Sequence, residues 1–295
     1  MTSLLAIANA DAGTADEQAI EDVIEALHGH EVDVVQTASP EELASALSSH
    51  PDVDGVVVLG GDGSLHAVVD ALRSAGRIDT VVIGLVPLGT GNDFAATLGL
   101  PDDPVEAAKV VAAGRTRPVD LIVDGRDEVV VNAAHIGIGA EAAKAARPWK
   151  KALGPIGYVI GAVLTGLRGL TTPGARLEIT VDGKTLPRKE PVIQVAVGNG
   201  TFVGGGTPLL PQADPSDGQL DVAVSYTRSP RRRIAYAWHV RRGDHHRRDD
   251  VVYLRGTEVT VRGDRLACTS DGELTAPSRE HSWRLEPGAL TIYAP

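Results

Sequence analysis

The chain has 295 residues, of which 43% are hydrophobic and 23% are charged, a composition that indicates a folded protein of about two domains and excludes a disordered one. The single cysteine, Cys268, excludes an internal disulfide framework and a cysteine-based zinc cluster, and it suits a reducing compartment. The formal net charge is −11, and no basic patch is interleaved with aromatic residues, which argues against a nucleic-acid partner.

The first 120 residues alternate between predicted strands and predicted helices. The sequence predicts strands at residues 4–8, 32–36, 55–59 and 81–86, of which 55–59 is a continuous apolar run and 81–86 another buried strand. Apolar residues at helical spacing, or a plausible N-cap at Ser39, predict helices over residues 16–28, 40–48 and 64–74. Because strands that are apolar throughout are buried on both faces, this half predicts a Rossmann-like parallel α/β domain.

After about residue 118 the predicted segments become short, β-rich and separated by Gly, Pro and Asp. They lie at residues 177–181, 192–197, 220–225, 258–262 and 283–285. This pattern predicts an antiparallel β-sandwich or barrel, interrupted by helical segments at about residues 140–167 and 231–240. We therefore predict an α/β domain over residues 1–124 and a β-rich domain with the sandwich architecture over residues 125–295.

The charges also divide the chain into two halves. Residues 1–130 contain 6 basic and 23 acidic residues, whereas residues 131–295 contain 22 basic and 16 acidic residues. Halves of opposite sign predict two domains that meet different partners.

Two glycine-rich loops follow neighbouring buried strands. Residues 60–64 (Gly-Gly-Asp-Gly-Ser) lead from a strand into a helix, and residues 89–93 (Gly-Thr-Gly-Asn-Asp) follow the next strand. Backbone without Cβ approaches a phosphate closely, and a helix N-terminus offers free N–H groups and a positive dipole end. Neither loop is a Walker A loop or a dinucleotide fingerprint. Because ligands of open parallel sheets bind beyond the carboxyl ends of the strands, the two loops together predict a nucleotide site.

An ordered set of motifs extends over essentially the whole chain. It comprises residues 9–14 (Asn-Ala-Asp-Ala-Gly-Thr), 60–64, 87–95 (Pro-Leu-Gly-Thr-Gly-Asn-Asp-Phe-Ala), Asp120, Asn199 and Gly200 with the glycines at 204–206, residues 217–221 (Asp-Gly-Gln-Leu-Asp) and 271–273 (Asp-Gly-Glu). In these motifs the chain resembles the soluble lipid kinases of the bacterial diacylglycerol kinase type, which are related to sphingosine kinases and NAD kinases. The resemblance implies that fold and the ATP-dependent phosphorylation of a lipid hydroxyl, with ATP and Mg²⁺ bound.

The resemblance also implies roles for individual residues. Glu273 matches the family's general base, and Asp62, Asp93 and Asp120 match an acidic network around the catalytic magnesium in the cleft between the domains. Asp217 matches the carboxylate of a separate structural magnesium loop, assisted by backbone carbonyls of Asp214 and Gln219. The residues that match the ATP site are Asn9, Gly13, Thr14, Thr37, Gly60, Gly61, Asp62, Gly63, Ser64, His66, Thr90 and Asn92.

Three local features carry further expectations. An exposed carboxylate with a pKa near 4 is a weak base, so we expect Glu273 in a partly buried cleft position. His66 and Ala67 stand where many family members have Asn-Glu. The glutamate is therefore absent here, and we expect its absence to change either the contacts at the start of the helix or the binding of magnesium. Residues 244–250 contain histidines and aspartates among arginines, and we interpret this segment as a solvated basic loop rather than a metal site.

Several acceptors fit the resemblance. Diacylglycerol, phosphorylated to phosphatidic acid in phospholipid biosynthesis, is the favoured acceptor, and another lipid alcohol, a sphingoid base or NAD is the alternative. A third hypothesis is a non-catalytic protein that binds nucleotide or lipid. The presence of Glu273 together with Asp62, Asp93 and Asp120 argues against that third hypothesis, since a relative that had lost activity would tend to lose the base first.

The sequence also bears on localisation. The start of the chain has no basic n-region, and the longest uncharged stretch, residues 152–167, is shorter than the roughly 20 residues of a membrane span, so we expect a soluble, cytoplasmic protein. A lipid acceptor then requires peripheral contact with the anionic inner face of the membrane. Pairing across a homodimer interface, or a solvated face, is the alternative use of the basic residues. The candidate contacts are Arg147, Trp149, Lys150, Lys151, Arg168, Arg231, Arg232, Arg233, Arg241, Arg242, Arg247 and Arg248.

Overall fold

The computed structural model describes residues 2–9, 17–89, 91–137, 173–187, 190–227 and 229–295. Within these ranges the chain forms a ten-stranded sheet, a six-stranded sheet and a two-stranded hairpin. Helices cover the first part of the ten-stranded sheet, and the six-stranded sheet packs against its second part.

The ten-stranded sheet begins with four parallel strands. These are β1 (Ser3–Asn9), β2 (Glu31–Thr37), β3 (Gly55–Gly60) and β4 (Val82–Pro87). Their spatial order is β2-β1-β3-β4, and every residue of β3 is buried, which explains its uninterrupted apolar sequence. The direction of winding reverses between β1 and β3, so the switch point at which such sheets bind ligands lies beyond these two strands.

Helices on both faces bury these strands. They are α1 (Glu17–Ala26), α2 (Pro40–Ser49), α3 (Asp62–Ser74), α4 (Asp93–Leu98) and α5 (Pro104–Ala112). α1 and α5 pack on one face of the sheet, whereas α2, α3 and α4 pack on the other. Ser39 caps α2 as predicted, because its side chain accepts a hydrogen bond from the N–H of Glu42 before a proline that fits the first helical turn.

The remaining elements are mostly antiparallel strands. They are β5 (Thr116–Asp124), β6 (Val129–Val130), β7 (Ala133–Gly137), β8 (Leu177–Val181), β9 (Lys184–Thr185), β10 (Gln194–Gly198), β11 (Phe202–Val203), β12 (Thr207–Pro208), β13 (Leu220–Ser225), α6 (Pro230–Arg242), β14 (Val251–Gly256), β15 (Glu258–Leu266), β16 (Cys268–Ser270), β17 (Glu273–Leu274) and β18 (Ser278–Tyr293). The long strand β18 pairs with β4, β5 and β15 and so continues the first sheet into the second half of the chain. The six-stranded sheet has the order β14-β13-β10-β7-β16-β17.

A shared apolar core joins the two sheets in the second half. Ile122, Ile179 and Trp283 from the ten-stranded sheet pack with Ile136 and Val222 from the six-stranded sheet. Two sheets that face each other across such a core form a β-sandwich. The predicted fold class, a parallel α/β part followed by an antiparallel sandwich, is therefore confirmed.

Some predictions about the chain's organisation have other outcomes. The helical segment predicted at 140–167 lies outside the described residues. The domain boundary at residues 124 and 125 falls at the end of β5 and stays a prediction, because β18 pairs across it. No helix in the described ranges is both long and apolar enough to cross a membrane.

The expectation of a solvated basic loop at residues 244–250 is wrong. His245 is fully buried, and its Nε2 lies 3.0 Å from the carbonyl oxygen of Leu209. Asp250 is also buried, and its carboxylate accepts hydrogen bonds from Arg232 and Arg248, each at 2.8 Å. The segment packs because its charges pair with one another and its histidine finds a backbone acceptor, neither of which a charge pattern reveals.

Candidate active site

The carboxyl ends of the parallel strands meet at one edge of the sheet. Asn9 at the end of β1 is paired with Thr37 at the end of β2, and Gly60 at the end of β3 is paired with Pro87 at the end of β4. Thr37 is buried and Asn9 is exposed. The structure therefore brings together Asn9, Thr37 and Gly60, three of the predicted ATP-site residues, at the switch point.

The two glycine-rich loops lie directly against each other. The N–H of Asp62 donates to the carbonyl oxygen of Gly91 at 3.2 Å. A Cβ atom on Gly61 would lie 2.6 Å from that same oxygen, and one on Gly89 would lie 3.0 Å from the backbone of Gly61. Because no side chain fits between the loops, glycine at 61 and 89 is required for this contact as well as for access to a phosphate.

The N-terminus of α3 has free hydrogen-bond donors. No side chain caps it, and the N–H groups of Gly63 and Ser64 have no acceptor in the described part of the chain. Next to it, Nδ2 of Asn92 donates to the carbonyl oxygen of Gly89 at 3.0 Å, while the buried Oδ1 of Asn92 has no partner among the described residues. Unsatisfied N–H groups at the start of a 13-residue helix form a site for an anion such as a phosphate.

Asp62, the first residue of α3, connects the two loops. Its carboxylate accepts the N–H of Asp93 at 3.0 Å and the N–H of Phe94 at 2.9 Å. Burial, the largest cause, and the charges of Asp93 and Asp271 raise the pKa of Asp62 to about 6, although the two hydrogen bonds lower it. A buried carboxylate next to two others gains from a nearby cation when it is ionised.

Asp93 links the α/β part to the β-rich part. Its side chain is buried and accepts the N–H of Gly205 at 2.9 Å and the N–H of Gly206 at 2.6 Å. Both glycines have a positive φ, 85° and 92°, in the turn between β11 and β12, a conformation that other residues adopt only with strain. Asp93 therefore holds this turn beside the loops.

Asp271 and His66 form a second link between the two parts. The carboxylate of Asp271 is 2% exposed and accepts the N–H groups of Val131, Asn132 and Ala133 at 2.7–3.1 Å. It also lies 2.9 Å from Nδ1 of His66. Because the carboxylate is surrounded by donors, Nδ1 of His66 carries the proton. The hydrogen bond to Asp271, above all, raises the pKa of His66, and the charges of Asp70 and Glu273 add to it while burial opposes it.

We expect Asp271→Asn to destabilise the fold by about 1–3 kcal/mol, because the amide NH₂ would face backbone N–H donors. The loss should also depend on pH. A histidine whose folded pKa lies above its ordinary value of about 6.5 contributes stability that is present below that value and is lost as the pH rises through the folded pKa. Urea unfolding should therefore show a larger loss at about pH 6 than at about pH 8.5. Equal losses at both pH values would contradict the ion pair.

Glu273 lies close to His66 but is more exposed than expected. It begins the edge strand β17, and its charge acts on His66. The expectation of a partly buried position is wrong, because β17 is the last strand of its sheet and its side chain is exposed. Glu273 nevertheless follows Asp271 by two residues, and Asp271 contacts His66 near the start of α3.

Asp120 has different partners from Asp62 and Asp93. Its buried carboxylate accepts the N–H of Gly218 at 2.7 Å and the N–H of Gly288 at 2.8 Å, and its own N–H donates to Pro215 at 2.7 Å. Asp120 thus supports the loop that contains the predicted structural-metal residues.

The loop at residues 214–219 is already paired with a positively charged side chain, that of Arg255. Asp217 accepts the N–H of Gln219 at 3.0 Å and pairs with the guanidinium of Arg255, which also contacts the fully buried Asp221. Asp214 accepts the N–H of Ser216 at 3.0 Å. A divalent ion at Asp217 would have to displace Arg255, so the residues in this arrangement do not fit the structural magnesium that the resemblance implies.

We expect Asp217→Ala to lower the melting temperature by the same amount with magnesium and with a chelator. In this arrangement the positive charge beside Asp217 comes from Arg255. The stability that is lost with this ion pair should therefore not depend on whether a metal is present. Thermal unfolding of the parent and of Asp217→Ala in the two buffers measures the difference in melting temperature. The control is Asp249→Ala, which removes an exposed aspartate that pairs with Arg232. A greater loss in magnesium would restore the metal assignment.

A catalytic magnesium fits the site better. No group of three or more metal-ligating side chains is poised to hold a metal among the described residues. Magnesium in kinases, however, is usually bound by one or two carboxylates together with substrate phosphates and water. Each carboxylate oxygen of Asp62 accepts one backbone N–H and retains a second lone pair, beside the free N–H groups of α3. The residues therefore fit a magnesium ion that arrives with the phosphates.

Some site residues fall outside this description or outside the predictions. Gly13, Thr14 and Thr90 lie outside the described residues. The sequence analysis missed Asn132, which is buried and whose N–H donates to Asp271 at 2.9 Å while its Nδ2 donates to the carbonyl oxygen of Phe202 at 2.9 Å. An asparagine within an otherwise apolar strand pattern, residues 129–134, was the available signal.

Comparison with protein families gives two matches that together span nearly the whole chain. Residues 3–123 match the diacylglycerol kinase catalytic domain. Residues 132–294 match the YegS C-terminal NAD kinase beta sandwich-like domain.

Individual proteins give the same result. The chain is 31% identical to a probable lipid kinase YegS-like protein of Chromohalobacter salexigens, over 84% of this chain and 78% of the relative. It is 35% identical to one of Stenotrophomonas maltophilia, where the match spans only 58% of this chain and 56% of the relative. A crystal structure of a diacylglycerol kinase from Bacillus anthracis aligns with a TM-score of 0.73 over 99% of this chain and 97% of that one, at 20% identity, which supports the fold alone.

Proposed function

The chain belongs to the family of YegS-like proteins that join a diacylglycerol kinase catalytic domain to a β-sandwich domain, and we propose that it transfers the γ-phosphate of ATP to the hydroxyl group of a membrane lipid. Diacylglycerol is the acceptor we propose, with phosphatidic acid as the product. One observation carries the proposal. The contact between His66 and Asp271, 205 positions apart in sequence, links the strand pair that carries Glu273 to α3, at whose start we propose that the phosphates bind.

The ATP phosphates would lie at the start of α3. Phosphoryl transfer depends mainly on positioning and on neutralising charge, and the N–H groups of Gly63 and Ser64 would bind and orient the phosphates without a P-loop lysine. The unpartnered Oδ1 of Asn92 would accept a hydrogen bond from the nucleotide, since a buried acceptor without a donor is costly. Asn9 and Thr37 lie at the same edge and would border the nucleotide.

The carboxylates in the site divide into two roles. Magnesium, when bound, neutralises the charge that develops on the transferred phosphate. Asp62 in its ionised form would hold that ion from the protein side. Asp93 accepts the N–H groups of Gly205 and Gly206, and Asp120 accepts that of Gly218, so we propose that they position the loop at 204–206 and the loop at 214–219, respectively.

Glu273 would act as the general base. The proton of the lipid hydroxyl would pass to the carboxylate of Glu273 as the hydroxyl oxygen forms a bond to the γ-phosphorus, while the bond from that phosphorus to the β–γ bridging oxygen breaks and ADP leaves. The exposure of Glu273 leaves room for an acceptor, and an acyl chain lying over it would exclude water from the site of transfer. His66, whose ring is hydrogen-bonded to Asp271, lies on the helix at whose start the phosphates would bind.

A transfer assay with γ-labelled ATP tests the proposal. Purified protein is incubated with magnesium and a panel of acceptors comprising diacylglycerol, a sphingoid base, a mixed lipid extract, NAD and simple soluble alcohols. We expect label in phosphatidic acid. Label in another lipid would correct the acceptor, label in NAD would move the protein to a soluble substrate, and no transfer to any acceptor would support a binding protein.

A further inference from the structure

α6 has an outer face with an unusual composition. Among the described residues only three large hydrophobic side chains are exposed, and two of them, Ile234 (59%) and Trp238 (61%), lie one helical turn apart on this helix. Arg231 and Arg241 continue the same stripe, each three residues from one of them, and both are exposed. We define these four residues as the outer face of α6.

The structure separates the basic residues of this region into two groups. Arg232 and Arg248 pair with Asp250, and Arg233 is buried with its Nε donating to the carbonyl oxygen of Thr227 at 3.2 Å. These three residues hold α6 and the following segment in place. Arg231 and Arg241, in contrast, form no ion pair with any residue of the described part of the chain. Their charges are therefore available to a partner.

We propose that the outer face of α6 docks on an anionic lipid bilayer. Tryptophan and isoleucine enter the interface between headgroups and acyl chains, while flanking arginines bind lipid phosphates, so the combination matches such a surface. A symmetric contact with a second copy would instead oppose Arg231 and Arg241 to arginines of the same face. The choice of a bilayer as the partner rests on the proposed function, in which the acceptor is a membrane lipid.

The fold connects this face to the active site. The turn at Gly205 and Gly206 binds Asp93, and the strand that follows it, β12, packs against α6. Just beyond β12, the carbonyl oxygen of Leu209 accepts the hydrogen bond of His245, immediately after α6. One short hairpin thus contacts the site at its turn and the docking helix at its end. Docking of α6 would hold the site near the surface in which the acceptor resides.

Trp238 provides a direct measurement. The experiment uses a Trp149→Phe background, in which two of the three tryptophans remain. Because Trp283 is buried and Trp238 is exposed, a change in emission on adding vesicles reports on Trp238. Vesicles of phosphatidylcholine with about 30% phosphatidylglycerol should shift the emission to shorter wavelengths and sediment the protein, whereas pure phosphatidylcholine should do neither. Raising the salt from about 0.05 M to about 0.5 M should weaken binding.

Variants test each part of the face. The double variant Arg231→Gln with Arg241→Gln should reduce vesicle partitioning about 30-fold, because it removes two positive charges that would each be attracted to the anionic surface. Ile234→Ser with Trp238→Ser should abolish sedimentation. The controls are Val34→Ser, which removes the third exposed apolar side chain, and Arg262→Gln, which removes an arginine paired with Glu280; both should bind like the parent. Unchanged melting temperatures establish that the variants fold.

Activity distinguishes this inference from the proposed function. On a short-chain diacylglycerol dissolved in water, the α6 variants should match the parent rate, while on vesicles they should be slower. A parent that phosphorylates the dissolved lipid but shows no change of Trp238 emission on vesicles would overturn the docking and leave the kinase. A parent that docks but phosphorylates no lipid would overturn the kinase. A dimer in light scattering that Trp238→Ser dissociates would assign the face to a second copy and overturn the docking.

Discussion

Glu273→Gln is expected to reduce phosphoryl transfer by about 10²–10⁴-fold and to leave the affinity for ATP nearly unchanged. The amide has the shape of the carboxylate but does not accept the proton of the lipid hydroxyl. The side chain of Glu273 is exposed and forms no hydrogen bond with the described residues, so the substitution leaves the backbone pairing of Glu273 with Ser270 in place. Turnover and nucleotide binding, measured separately, test both parts of the expectation.

The matched control is Glu280→Gln. Glu280 is also an exposed glutamate of the β-rich half, but it pairs with Arg262 on β15, away from His66. It should retain the parent turnover. Near-normal turnover in Glu273→Gln would remove this residue from the mechanism, and a parallel loss of ATP affinity would assign it to binding.

Asp62→Asn is expected to lower turnover by about a hundredfold or more and to raise the magnesium concentration needed for half-maximal activity. The change removes the charge beside the phosphates and turns one acceptor into an amide that faces a backbone N–H. The control is Asp70→Asn, which removes an exposed carboxylate from the same helix. A magnesium dependence identical to that of the parent would contradict the assignment of Asp62.

The pH dependence of turnover gives a second test of Asp62. Because the pKa of Asp62 is raised to about 6, its ionised form is present above that pH and is lost as the pH falls through it. The kcat/KM of the parent for ATP reports the free enzyme and should therefore fall on the acid side of about pH 6. Asp62→Asn should lack this acid limb, whereas Asp70→Asn should retain it.

The sequence predicted the α/β half well because its strands are short apolar runs with clear helices between them. Strands β1 to β4 and helices α1 to α3 form within a few residues of their predicted bounds. The same patterns placed both glycine-rich loops at one edge of the sheet. No sequence pattern predicted the contact between the loops, which approach each other so closely at Gly61 and Gly89 that no side chain fits there.

Long-range contacts explain most of what the sequence did not predict. Asp271 was recognised only as part of a motif, yet its carboxylate binds three backbone N–H groups near residue 132 and His66 on α3. The arginines around α6 looked equivalent in sequence, but Arg232 and Arg248 form salt bridges with Asp250, whereas Arg231 and Arg241 are exposed and form no ion pair in the described part of the chain. Such pairings depend on tertiary structure, which local spacing does not encode.

The most direct test of the kinase assignment is a single-turnover transfer experiment. The parent protein is loaded with γ-labelled ATP and magnesium and mixed with vesicles that contain diacylglycerol, and the products are separated after short times. We expect label in phosphatidic acid with the parent and with Glu280→Gln, whereas with Glu273→Gln the label should remain in ATP. Label released only as inorganic phosphate, or label transferred equally well by Glu273→Gln, would contradict it.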